Sequence, residues 1–147
     1  MNLCARSLIV ASLLARCSLA MAAEAPFSGG WSIDIRTPSE RKQNAECGNA
    51  TFTLVQDRDH IAGSHVMATA GCGRVNEGGD GTVKGIVVGS TAVLVVTSGR
   101  NGAIAMGTAT LQGGLLHWRT IDEVKPGEPP GDSSLILGQG VLRPIAR

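Results

Sequence analysis

Between residues 31 and 143 the chain is a succession of short runs rich in Val, Ile, Thr and Leu, cut at close intervals by Gly, Asn, Asp or Pro. That punctuation most constrains the fold. β-Branched residues suit an extended backbone, and Gly and Asn tolerate the positive φ of a tight reversal. No window in this part sustains the apolar period of an amphipathic helix. Eight strands are predicted, at residues 31–36, 51–56, 61–69, 82–88, 92–98, 103–111, 115–121 and 134–143. Alternation is cleanest in the first two. Trp31, Ile33 and Ile35 share one face against Ser32, Asp34 and Arg36, while Phe52 and Leu54 oppose Thr51 and Thr53. Residues 92–96 are apolar on both faces, which leaves their outer side in want of a cover.

The turns set the topology. Gly89-Ser90, Arg100-Asn101-Gly102 and Gln112-Gly113-Gly114 are tight reversals, as is 57–60, so successive strands pair antiparallel in an up-and-down meander. An open meander of eight strands leaves two edges exposed, and closure removes them. The expected fold is therefore all-β, an eight-stranded antiparallel up-and-down barrel, with an open sandwich as second choice. Gly63, Gly85, Gly107, Gly138 and Gly140 suit the bends of a barrel wall. In a meander the connections 37–50, 70–81, 99–102 and 122–133 share one rim, and the opposite rim has only short turns. Long loops on a rigid scaffold are where binding surfaces usually form. Arg41, Lys42, Arg74, Arg100, Asp122 and Glu123 are the candidate binding rim.

Residues 1–22 read differently. Arg6 precedes an apolar stretch over 7–15, and small residues follow at Ala20 and Ala22, as in a secretory signal peptide. Arg16 interrupts the run far short of the ~20 residues that span a bilayer. The expected division is a signal peptide over 1–22 and a single β-barrel domain over 23–147, located in the periplasm or secreted. Removing Arg6 and Arg16 takes the net charge from +1 to −1, which gives no field for nucleic acid. Removing Cys4 and Cys17 leaves Cys47 and Cys72, an even pair that an oxidising compartment would join. The two flank the hairpin of the second and third strands, each in a long loop of the same rim, so that hairpin brings them together.

Gly29-Gly30-Trp31 at the start of the first strand resembles the G-x-W signature of the calycin barrels, the lipocalins and their relatives, including the periplasmic metalloprotease inhibitors. The resemblance implies a calycin-like barrel in which Trp31 closes the base and packs against a cation of the last strand, here Arg143. The second lipocalin motif is missing. With Trp31 and Trp118 as its two tryptophans, the chain lacks the aromatic set of the biotin-binding barrels.

No catalytic constellation emerges, so the chain is not expected to be an enzyme. Ser90 lies outside a G-x-S-x-G elbow. The segment 74–81 lacks the lysine of a phosphate loop and the Asp spacing of a calcium loop. His60, beside Asp57 and Asp59, reads as a polar turn cap, and His117 as a surface residue. His65 cannot share a ligand with His60 across the strand. No metal, cofactor, nucleic acid or membrane span is implied. What remains is an exported binding module for an unknown ligand, or an inhibitor-like barrel that meets a protein partner through its rim. Ala103, Ala105, Gly107 and Ala109 share one face. Turned inward, they leave room for a ligand; turned outward, they suit another surface. An interior of roughly 300 Å³ or more favours a ligand, and a filled one favours the rim.

Overall fold

A computed structural model describes residues 25–132 and 134–146; the signal-peptide expectation for 1–22 lies outside them. Eight strands run in chain order. They are β1 (Gly29–Asp34), β2 (Cys47–Asp57), β3 (His60–Ala70), β4 (Val75–Val88), β5 (Thr91–Thr97), β6 (Ile104–Gln112), β7 (Leu115–Lys125) and β8 (Gln139–Pro144). Each pairs antiparallel with the next, and β8 returns to β1 through Trp31↔Pro144 and Ser32↔Arg143, closing the barrel. Closure pairs the edges that an open meander would expose.

Alternation sorts the side chains. Phe52, Leu54, Leu94 and Leu116 point inward with at most 1% of their surface exposed, whereas Thr53, Lys84 and Arg119 point out. An apolar inside with a mixed outside is the reverse of a lipid-embedded barrel. The base is plugged by the segment just before β1. Fully buried Phe27 donates its N–H to Gln56 Oε1 (3.1 Å), and its carbonyl accepts from Trp31 Nε1 (2.9 Å).

Four local departures from expectation have identifiable causes. The segment 37–50 contains a short helix, α1 (Pro38–Lys42). Thr37 and Glu40 exchange hydrogen bonds in a capping box, with Pro38 opening the first turn. The long loop expected over 70–81 is instead a four-residue turn, 71–74, leading into the first half of β4. Its in-out alternation is hidden because an inward position is Asn76, a polar residue. Opposite Ser64 the β3–β4 register slips, so residues 79–82 bulge from the ladder between the pairs His65↔Gly78 and Gly63↔Val83. The last strand begins at Gln139 rather than 134. Leu135 and Leu137 are buried but lie off the ladder, folded over the mouth between β7 and β8.

Candidate functional site

The small-residue face of β6 turns inward. Ala105 and Ala109 are buried, but the room they leave is already taken. A Cβ on Gly107 would lie 2.5 Å from Trp118 Cζ2, so the glycine is needed for the indole of the neighbouring strand. Trp118 is 2% exposed and stacks at a tilt on Phe52, with ring centroids 5.0 Å apart. Its Nε1 donates to Leu137 O (2.9 Å), tying the core to the segment over the mouth. The void under that mouth, between Asn76, Ser98, Ala105 and Leu135, measures about 10 Å³. That holds one water at most. The barrel is filled.

At the mouth, the connections are cross-braced. Cys47 and Cys72 form a disulfide with Cα atoms 5.3 Å apart, as the hairpin geometry requires. Neither lies in a long loop: Cys47 is the first residue of β2, and Cys72 sits in the turn 71–74. Both adopt left-handed backbone, φ +58° and +57°, beside Gly48 and Gly71. The Arg74 guanidinium donates to Ser134 O, and Ser134 Oγ donates to Glu123 Oε2 (2.9 Å), so one chain of contacts links the β3–β4 turn, the β7–β8 connection and β7. Asn101 Nδ2 donates to Pro129 O (2.7 Å), and Glu128 N–H donates to Asn101 O (3.0 Å). Arg100 stands 3.9 Å from Glu77.

The β1–β2 connection is braced separately. Arg36 pairs with Asp34 at 2.8 Å and also donates to Ala45 O. The side-chain hydrogen bond from Arg36 lowers the Asp34 pKa to about 2. Arg41 and Lys42 project from α1 into solvent, with Arg41 also donating to Arg36 O. All six candidate rim residues thus lie at the disulfide end. Arg74 and Glu123 brace the loops, while Arg41, Lys42, Arg100 and Asp122 are exposed.

The signature residues divide. Trp31 is buried at the short-turn end, following Gly29 with its φ of +128°. Arg143 does not stack on it. Arg143 lies directly across from Ser32, and cross-strand neighbours share a face, so its side chain is outside while Trp31 points in. The backbone carbonyl of Phe27 satisfies the indole instead.

One polar cluster carries no signal in the sequence. His65 is 1% exposed inside the barrel; its Nε2 lies 2.8 Å from Asn76 Oδ1, and its Nδ1 lies 3.4 Å from Thr82 Oγ1. Burial holds its pKa below the usual imidazole value, against the opposing pull of the Asn76 hydrogen bond and the Glu77 charge. An inward histidine reads like any other until its partner, eleven residues on, is folded beside it. His60 is exposed, 3.5 Å from Asp59. Among the described residues no three metal-ligating side chains converge, and no helix is long and apolar enough to cross a membrane.

Fold and site define a small closed meander barrel with a solid core and one braced rim. No protein-family model, curated protein or solved structure matches the chain. The closed up-and-down topology and the buried tryptophan of the first strand agree with the all-β barrel expected from the sequence.

Proposed function

We propose that the chain is an exported, non-enzymatic binding module that meets a protein partner through its disulfide-end rim rather than carrying a ligand inside. The filled interior carries this reading. Small-molecule sites generally have ~300–1,000 Å³ and bury most of their ligand. Here Trp118 and Phe52 occupy that space, and the void left is about 10 Å³. The rim supplies a complementary argument. Bridges among its connections reduce the ordering entropy that a loop surface loses on binding. Arg41, Lys42, Arg100 and Asp122 stand exposed on that frame.

The disulfide suits an oxidising compartment, so periplasm or extracellular space is the expected location. Native mass spectrometry of protein from its own exporting host tests the proposal. The expected spectrum shows no small molecule retained. Cross-linking in the same extract should join a protein to the rim, and the double variant Arg41→Glu/Lys42→Glu should abolish that cross-link. A stoichiometric small molecule that survives desalting would overturn the reading.

A further inference from the structure

Inside the wall lies a titratable side chain that the rim does not use. His65 of β3 is buried between Gly78 of β4, its partner on one side, and the apolar Phe52 of β2 on the other. The ring lies close against backbone. A Cβ on Gly78 would stand 2.8 Å from His65 Cε1 and 2.5 Å from Thr82 Oγ1, so residue 78 is a glycine where an imidazole and a hydroxyl meet. Directly after it, residues 79–82 leave the ladder. The ring therefore sits beside the bulge, and Thr82 joins the two.

Both ring nitrogens face oxygen atoms. Nε2 lies 2.8 Å from Asn76 Oδ1, which can only accept, so Nε2 carries the proton of the neutral ring. Nδ1 lies 3.4 Å from Thr82 Oγ1, and the Thr82 hydroxyl donates to Gly79 O at 2.6 Å, closing the bulge on itself. A hydroxyl has one proton to give. Beside a neutral ring it has two acceptors, Gly79 O and the bare Nδ1, and turning to Nδ1 unfastens the bulge. Beside a protonated ring it has one. Nδ1–H then donates to Oγ1 and leaves the hydroxyl proton on Gly79 O.

The surrounding charges favour the cation while burial opposes it. Glu77, next to Asn76 on β4, pulls the ring toward protonation, and Arg100 of the β5–β6 connection stands 3.9 Å from that carboxylate. Asp80 is exposed in the bulge itself. β2 sets only Phe52 opposite the ring, and the ring's neighbours on β3, Ser64 and Val66, carry no charge. Burial outweighs the attraction, so the proton arrives below the usual imidazole range.

We propose that residues 79–82 form an acid-fastened clasp, in which protonation of His65 commits the Thr82 hydroxyl to Gly79 O and stiffens the bulge. Gly79 and Asp80 line a surface groove of about 460 Å³ together with Gly99 and Arg100, so the charge state of a buried ring reaches the rim. The clasp does not depend on what that rim binds.

Hydrogen exchange of the 78–83 amides tests it, each rate divided by its intrinsic rate at the same pH. The His65 Cε1 proton, followed by NMR in the same samples, reports the titration. As His65 takes up its proton, exchange in the bulge should slow about fivefold or more, the worth of one hydrogen bond gained. Global stability falls over the same titration, so a purely structural histidine would speed exchange instead. Thr82→Val and His65→Gln should each remove the acid slowing, and Thr82→Ser, which keeps the hydroxyl, should retain it. Thermal melts confirm that the variants are folded. Exchange in the wild type that is unchanged or faster when His65 is protonated overturns the proposal, as does acid slowing that survives in Thr82→Val or His65→Gln.

Discussion

Trp118→Ala tests the central physical claim, that side chains fill this barrel. The indole is 2% exposed, packed on Phe52 and seated over Gly107. Its removal has two costs. The lost transfer free energy of a large apolar side chain is about 2–3 kcal/mol. If on the order of 100 Å³ stays open, the cavity adds about 2.4 kcal/mol at ~24 cal/mol per Å³. Together they reach about 4–5 kcal/mol, a large part of the ~5–15 kcal/mol that holds a domain folded. No orphan acceptor complicates the reading, because Leu137 O keeps its hydrogen bond from Thr120 Oγ1 (3.0 Å). Urea titration of wild type and variant measures the loss, with Trp118→Phe as the variant that keeps a ring and should lose much less. An apolar cavity also binds small apolar molecules. Indole at about a hundred times its Kd should therefore restore about 2.7 kcal/mol to the variant and nothing to the wild type. A loss below about 1 kcal/mol, or a wild type that indole stabilises equally, would refute the filled barrel.

His65 makes stability depend on pH. Its folded pKa lies below the unfolded value of 6.5, so the unfolded chain takes up the proton first and stability falls as pH drops below about 6.5. The slope is at most about 1.4 kcal/mol per pH unit and ends at the folded pKa; His65→Gln should flatten it in urea titrations repeated at several pH values. Reducing the Cys47–Cys72 bridge, whose cysteines are 25 residues apart, should cost roughly 3–4 kcal/mol in the chain-entropy model. Melting the Cys47→Ala/Cys72→Ala variant beside the wild type measures that loss. Trp31→Ala should cost roughly 3–5 kcal/mol. Arg143→Ala, on the outer face, should stay within about 0.5 kcal/mol; comparable losses in the two would restore the cation–π contact between them.

Strand order and hairpin turns are local properties, and they were legible in the chain itself. Gly113 and Gly114 both adopt positive φ, as the turn they predict demands. Trp31, Phe52 and Leu54 alternate onto the face that the barrel buries. The cysteine pairing was also legible, because a hairpin returns its two ends to one rim. Other features depended on which residue faces which across the wall. Asn76 turns inward because His65 is there to receive it, so a stretch that looks like a loop becomes strand. Arg143 faces out because the β1–β8 register sets it opposite Ser32, and no spacing between residues 31 and 143 determines that register. Sequence alone determined that β6 has a small-residue face; tertiary structure alone decided that the face lodges an indole. Alternation assigns a residue to one of two faces, and only closure of the sheet brings Trp118 from the next strand over Gly107 and takes the space a ligand would need.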